Sequence, residues 1–432
     1  MTYLNTSPSA KELAQLLPDS IHRSLLKIFR NLAEHGHACY LVGGAVRDLV
    51  MGSTPHEYDF TTSATPEQVK QIFKRVIDTG IQHGTVTVLD GGMQYEITTF
   101  RSEVGYSDGR RPDQIIYGSS LSDDLQRRDF TMNALALDLL ENKFVDEHQG
   151  LQDIESKIIR TIGFAEERFS EDGLRAIRAI RFMATLGFTI EENTYLAIAK
   201  TRNITAKIST ERFHDELNKI LATKSPFSAL WELHQNQIFS LFTKVSTRDS
   251  ERHILQYTNS LPVVPQAFRL AYLMHFLAPD LLANQQTADL LLRPLKFSKK
   301  LIRESGFVLS ILPKSYQTWD SHSVRQILAE IVAFVGLGEL KSYADGFATH
   351  LQRLSSENAR DFATLAEQVM LADDPLSLKQ LSINGKEIMQ HFPEISGKAI
   401  GDVLQKCLDL VLQTPEKNNH TDLLTFIKKI QL

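Results

Sequence analysis

The sequence predicts an α+β protein, with a mixed α/β head in roughly the first 150 residues and an almost entirely helical remainder. Two observations predict this. Before residue 150, short β-rich runs alternate with helical stretches, separated by Gly and Asp turn formers. After it, apolar residues recur at helical spacing and strand-like alternation is rare.

In the head, strands are expected at CYLVGG (39–44), EYDFTT (57–62), TVTVLD (85–90) and QYEITTF (94–100). The helical part opens with GLQDIESKIIRTI, DGLRAIRAIRFMATLGF and STERFHDELNKILAT. Pro262-Val263-Val264-Pro265 and Asp373-Asp374-Pro375 are expected breaks within it. With 432 residues, 42% of them apolar, the chain can bury more than one core, so two to four compact units are expected.

Composition excludes several classes. No apolar run reaches the ~18 residues of a membrane span, and MTYLNTSPSAKELAQ lacks the basic start and apolar stretch of a signal peptide, so a cytoplasmic location is expected. Cys39 and Cys407 are isolated, which supports neither a disulfide framework nor a zinc site; any metal should be held by oxygen ligands. A net charge of −5 argues against a uniformly basic nucleic-acid binder but leaves room for a local basic track.

The informative residues begin at Tyr40–Asp48, where a β-like run ends in Gly43-Gly44 and enters a helical sequence. Such a turn lets backbone N–H groups approach a phosphate, although a Gly pair alone reads more readily as a tight turn. Glu57-Tyr58-Asp59 follows. Residues two apart on a strand share a face, so both carboxylates can converge to hold a pair of Mg²⁺ ions, and Glu96 could add a third from a neighbouring strand. Any single E-x-D is equally a solvated strand face.

The segments LVGGAVRDLVMG…EYDFTT, TGIQHGTVTV, DGRRPDQI…LQRRDFTMNALA, VDEHQGLQDI and SEDGLRAIRAIRF occur in that order. Together they resemble the bacterial-type CCA-adding enzymes, tRNA nucleotidyltransferases of the DNA polymerase beta superfamily, continuously from about residue 22 to about 222. The resemblance implies a polymerase beta-like palm followed by helical neck, body and tail: a catalytic head at 1–150, a nucleotide-selecting neck at 151–222, a body at 223–340 and a tRNA-binding tail at 341–432. It implies template-independent addition of C, C and A to tRNA 3′ ends from CTP and ATP, the RNA 3′-hydroxyl attacking the α-phosphate and pyrophosphate leaving. The implied partners are tRNA and the two nucleotides, with no membrane and no protein partner.

The resemblance assigns residues as follows. Glu57 and Asp59, joined by Glu96, would be catalytic, the first two holding two Mg²⁺ ions, with Mn²⁺ as an alternative. Gly43, Gly44 and Arg47 would admit and bind the triphosphate. In Arg127-Arg128-Asp129-Phe130-Thr131-Met132-Asn133, two guanidiniums suited to phosphate stand beside a carboxylate and an amide suited to a ribose hydroxyl. Asp129 and Asn133 would sit near the sugar and Arg128 near base or phosphate; outside this context Asp129 simply pairs with an arginine. Asp172 and Arg175, three apart on a helical stretch, share a face and can read a base edge, which in the family selects cytosine and then adenine; Arg178, farther along the ridge, could reach the phosphates. The plainer reading is a Glu171–Arg175 surface pair worth about 0.3–0.5 kcal/mol.

Other segments carry weaker expectations. Asp146-x-x-x-Gly150-x-x-Asp153 matches the family's hinge between head and neck, and Glu211-Arg212, with Ser209 or Thr210 as helix cap, should fix a neck helix. Val104–Asp113 resembles the loop used in passing from CTP to ATP, which argues against an enzyme restricted to C. Arg293, Lys296, Lys299, Lys300 and Arg303 form a basic run that either follows an RNA backbone or is a solvated face. Ser396-Gly397-Lys398 before a helix suits a phosphate contact. His275, with no adjoining Asp, gives no support for an HD phosphohydrolase domain and is expected to pack within a helix.

Glu57 departs from the family's usual Asp-x-Asp. The extra methylene moves the oxygens by roughly 1 Å, which a metal site can feel. Rival readings are an enzyme that adds only the terminal A, a poly(A) polymerase of the same superfamily, and a non-catalytic tRNA-binding protein.

Overall fold

The β-rich runs form strands close to where alternation places them: β1 (Cys39–Val42), β2 (Asp59–Thr62), β3 (Val76–Gly80), β4 (Thr85–Asp90), β5 (Met93–Thr99), β6 (Arg101–Val104), β7 (Gln114–Tyr117), β8 (Leu135–Asp138) and β9 (Lys143–Asp146). The computed structural model describes residues 8–105, 114–118, 120–243, 265–278, 284–316 and 318–430. Seven strands make one sheet in the order β3-β4-β5-β2-β1-β8-β9, while β6 and β7 form a separate hairpin. Every neighbouring pair in the large sheet is antiparallel except β2 and β5, which run parallel. The expected loop at Val104–Asp113 joins the hairpin strands; residues 106–113 lie outside the described residues.

Helix α1 (Ala10–Ala14) precedes α2 (Asp19–Glu34), whose Leu25, Ile28, Phe29 and Leu32 recur at helical spacing and are buried. Phe29 meets Phe60 of β2 at 5.4 Å between ring centroids, and Phe60 meets Tyr95 of β5 at 6.2 Å. Because side chains alternate along strands, this apolar face turns Asp59 and Glu96 to the opposite face. Helix α3 (Gly44–Val50) follows β1, α4 (Pro66–Ile72) lies between β2 and β3, and α5 (Leu121–Gln126) leads into the arginine-rich segment.

Beyond α6 (Gly150–Glu155) come α7 (Ala165–Glu171), α8 (Leu174–Leu186), α9 (Glu192–Lys200), α10 (Arg202–Thr205) and α11 (Thr210–Leu221). The stretch around Asp172 is not one continuous helix. Asp172 is extended (φ −144°, ψ 108°) and α8 starts afresh at Leu174. The join is closely packed: a Cβ on Gly173 would stand 2.7 Å from the Ile204 carbonyl oxygen of α10. Ser209 caps α11 as expected, accepting from the Arg212 N–H, and α11 buries Phe213, Leu217, Ile220 and Leu221.

The chain divides into two compact units, Met1–Thr223 with Ser228–Phe242, and Lys224–Phe227 with Thr243–Leu432. Among the described residues the second unit contains helices and no strand, in line with the expected helical remainder. Its C-terminal part buries Ile383, Ile388, Ile395, Cys407, Val411, Leu423 and Ile427 together. The break at 373–375 is present, with helix Ser356–Leu371 ending before Asp373 at φ +51°. Pro265 starts helix Gln266–Leu277, whereas 262–264 lie outside the described residues. His275 corrects an expectation: it is helical, but on the exposed side, since apolar neighbours such as Met274 and Phe276 take the buried face. Among the described residues no helix is long and apolar enough to cross a membrane.

Candidate active site

Asp59 is the first residue of β2, and the parallel register sets Glu96 of β5 directly beside it. Tyr58, just before the strand, is buried against Tyr95; Glu57 lies outside the strand and is exposed, which corrects the expectation that it shares a strand face with Asp59. The Asp59 carboxyl is pushed up to about 6, first by burial and then by the Glu96 charge; Arg128 pulls it down and Glu57 raises it further. Three carboxylates therefore crowd one end of the parallel pair. Among the described residues no three His, Cys, Asp or Glu side chains form a ready-made metal cage. Mg²⁺ needs none, because it commonly takes one or two carboxylates together with water and substrate phosphates. The donor set of Asp59 and Glu57, with Glu96 beside Asp59, fits that habit.

Gly43 ends the strand-to-helix turn at φ +71°, ψ −139°, a conformation open to glycine. A Cβ here would stand 3.3 Å from Arg128 Nη1 and 3.8 Å from Asp59 Oδ2, so the turn, the arginine and the carboxylate meet at one point. Gly44 begins α3, and a Cβ there would meet Arg47 Nη2 at 3.5 Å.

Behind them runs a chain of hydrogen bonds. Arg47, buried, donates from Nη1 to Asn133 Oδ1 at 2.8 Å and from Nη2 to Asp48 at 2.7 Å. Asn133 Nδ2 donates to Asp129 Oδ1 at 3.0 Å, and Arg178 donates to Asp129 Oδ2 from Nε at 2.8 Å and Nη2 at 2.6 Å. Burial pushes the Asp129 carboxyl up, but Arg178 and Asn133 outweigh it and hold the group well below the usual carboxylate range. Phe182 of α8 underlies three cations, with Arg47, Arg178 and Arg181 at 5.3, 5.5 and 4.0 Å from its ring centroid.

Asp172 and Arg175 are held separately. Asp172 accepts a two-pronged bond from Arg212, at 3.0 Å from Nη1 and 2.7 Å from Nη2. Arg175 pairs with Glu171, which is the plainer expected contact, and also donates to the Arg168 carbonyl at 3.1 Å and to the Arg127 carbonyl at 3.0 Å. The second carbonyl ties α8 to the arginine-rich segment of the head.

Residues 39–160 match the profile of the poly A polymerase head domain, 187–245 one described as "Probable RNA and SrmB- binding site of polymerase A", and 275–427 that of tRNA nucleotidyltransferase domain 2. The CCA-adding enzyme of Lactiplantibacillus plantarum is 36% identical to the chain over 415 residues, spanning 93% of this chain and 95% of that protein. The chain belongs to the CCA-adding enzyme family. Another CCA-adding enzyme, from Ligilactobacillus salivarius, is 35% identical over 399 residues, spanning 91% of this chain and 93% of that one. The crystal structure of the Bacillus stearothermophilus CCA-adding enzyme in complex with CTP aligns with a TM-score of 0.78 at 28% identity, covering 96% of this chain and 98% of that one. Membership makes the chain a nucleotidyltransferase.

For this member of the CCA-adding enzyme family, the head profile spans the Gly pair, the three carboxylates and the arginine-rich segment, while 171–175 fall between two profiles. Sequence reasoning gave Arg212 only a helix-fixing role and did not single out Asp124 or Phe182. Asp124 stands three and four residues before Arg127 and Arg128 in a helical stretch, a spacing that signals local ion pairs. Arg212 had no comparable signal, its partner Asp172 lying 40 residues away, and for Phe182 the nearby Arg178 and Arg181 were readable while Arg47 was not.

Elsewhere, Asp146 accepts from the Gly150 and Leu151 N–H groups at 2.8 and 2.9 Å, and Asp153 from Thr131 Oγ1 at 2.7 Å. In the basic run, Arg293 pairs with Asp289, Lys300 lies 3.6 Å from Glu304, and Arg303 sits over the Phe334 ring at 5.2 Å. Gly397 caps helix Lys398–Gln413, placing Ser396-Gly397-Lys398 at a helix start.

Proposed function

We propose that this chain adds C, C and A to tRNA 3′ ends from CTP and ATP, without a template. The observation that carries the reading is the meeting of Gly43, Asp59 and Arg128 at one point with Glu96 alongside, in a chain whose relatives over nearly its whole length are CCA-adding enzymes. Gly43 leaves the room a triphosphate needs, and Gly44 and Arg47 shape the turn beneath it. Arg128 offers Nη1 to a phosphate oxygen. Asp129 and Asn133, already oriented by Arg178 and Arg47, present acceptor and donor atoms to the ribose. Asp172 and Arg175, each anchored from behind, read the Watson–Crick edge, and Arg178 lies within reach of the phosphates.

Asp59 and Glu57 would hold Mg²⁺, two ions in all with Mn²⁺ as a substitute, which when bound activates the 3′-hydroxyl and neutralises the leaving pyrophosphate. Glu96 completes the acidic end as the third carboxylate. On this reading the catalytic head occupies 1–150, the neck 151–222, the body 223–340 and the tRNA-gripping tail 341–432, and the enzyme works in the cytoplasm on tRNA with no protein partner required.

The test is purified protein with tRNA ending before CCA, Mg²⁺ and labelled CTP and ATP. Addition of three nucleotides and then arrest is expected. No incorporation with Mg²⁺ or Mn²⁺ would remove the enzymatic reading and favour a tRNA-binding protein. Addition of A only to tRNA already ending in CC would indicate a dedicated A-adding enzyme, and long A tracts on unrelated RNA a poly(A) polymerase.

A further inference from the structure

Asp124 lies on α5, is 0% exposed, and touches neither Asp59 nor the turn at Gly43 through any hydrogen bond among the described residues. A buried carboxylate is costly unless its oxygens are fully used. Here they are. Oδ1 accepts from Arg127 Nε at 3.1 Å and Nη2 at 2.6 Å, and Oδ2 accepts from Arg128 Nη2 at 3.0 Å. Burial pushes the carboxyl up, while Arg128 and Arg127 more than offset this and keep it below its ordinary value, so it stays charged.

The consequence falls on Arg128. Its Nη2 is committed to Asp124, its Nε is buried with no hydrogen-bond partner among the described residues, and its Nη1 is left beside Gly43 and Asp59. One carboxylate thus fixes which edge of the guanidinium faces the cleft. The same carboxylate holds Arg127, whose side chain also reaches Glu103 at 3.3 Å and whose carbonyl accepts from Arg175 Nη2 at 3.0 Å. Asp124 therefore stands behind both the group beside the carboxylates and the anchor of the neck arginine.

We propose that Asp124 is a positioning residue for nucleotide addition, holding Arg128 so that Nη1 meets the triphosphate. The inference rests on the reading of Arg128 as a nucleotide contact. A misplacement of about 1 Å at such a contact can cost on the order of 100-fold in rate.

A double-mutant cycle tests it, with the full-length protein, tRNA ending before CCA, and labelled CTP and ATP. Asp124→Asn keeps the shape and removes the charge; it should lower kcat/KM for both nucleotides on the order of 10- to 100-fold, as loss of a supporting partner typically does. In the Arg128→Ala background the same change should cost less than about twofold, because the effect runs through Arg128. Losses that multiply would overturn the proposal and leave Asp124 a purely structural residue. If Arg128→Ala itself leaves incorporation at the wild-type level, the assignment of Arg128 fails, and the proposal with it. Should Asp124→Asn fail to accumulate as folded protein by circular dichroism, Asp124→Glu enters the same cycle: a loss that vanishes with Arg128→Ala supports the proposal, and one that persists overturns it.

Discussion

In the first unit Arg178 reaches Asp129 across 49 residues of sequence, Arg212 reaches Asp172 across 40, and Arg47 reaches Asn133 across 86. In the second, Arg293–Asp289, Lys300–Glu304 and Lys341–Asp345 are pairs four residues apart whose cations are mostly exposed. Pairs of the second kind contribute about 0.3–0.5 kcal/mol each and are screened by salt. Those of the first kind take charges out of water, a cost offset only by full hydrogen bonding. Charge spent that way marks the part of a molecule where particular atoms must be held in place. Among the described residues of the second unit, Arg325–Asp374, largely buried and also bonded to the Leu412 carbonyl at 3.0 Å, is a counterpart, and it joins helices rather than lining a cleft.

This contrast can be broken by mutation, with effects expected to fall from the carboxylates outward. Glu57→Ala should lower the rate of nucleotide addition by on the order of 100-fold or more, while Glu57→Asp, which restores the family's usual residue, should retain most of it. Steady-state incorporation at saturating nucleotide in Mg²⁺ and then Mn²⁺ measures both, and equal loss in the two variants would take Glu57 out of the metal site. Gly43→Ala must adopt positive φ and place a methyl group against Arg128, so a loss of roughly 10- to 100-fold in kcat/KM is expected with only about 1–2 kcal/mol of destabilisation. An unchanged kcat/KM would show that the turn is not where the triphosphate lies.

Asp129→Asn tests the buried network through stability. It should cost on the order of 2–4 kcal/mol at pH 7, read by thermal or denaturant unfolding. The sign with pH follows from the depressed carboxyl. Because its folded-state value lies below the unfolded one of about 3.9, its contribution is complete above that pH and is lost as pH falls further through the folded-state value. The gap between wild type and variant should therefore narrow below about pH 4, and a gap that widened there would contradict the assignment. At the small end, Arg293→Gln should change stability by less than about 0.5 kcal/mol and leave nucleotide addition untouched in low salt. A large loss of tRNA affinity would instead make the exposed basic run an RNA track.

Much of the head was legible because strand alternation is local. The runs at 39–44, 57–62, 85–90 and 94–100 became β1, β2, β4 and β5 with ends shifted by at most two residues. The order of the strands was not legible. That β5 lies parallel to β2, bringing Glu96 to Asp59, depends on a crossover that no single segment encodes. The same limit holds around Asp172. Sequence spacing alone suggested a shared helical face for Asp172 and Arg175, but the backbone is extended at Asp172, α8 starts only at Leu174, and Asp172 pairs with Arg212. Asp124 was within reach, since its partners are three and four residues away, yet nothing local says that it would be buried. In the second unit helices were readable from periodicity, whereas Ser396–Lys398 and the basic run carry no geometry from which a contact can be read.

The most direct measurement pairs two assays on Asp59→Ala: incorporation of labelled CTP and ATP into tRNA ending before CCA, and binding of the same tRNA at fixed ionic strength. Incorporation should fall below detection while tRNA affinity stays within a few-fold of wild type, the transfer chemistry being centred at β2. Surviving incorporation would contradict the account by removing Asp59 from the reaction, and the carboxylate cluster would then need another purpose.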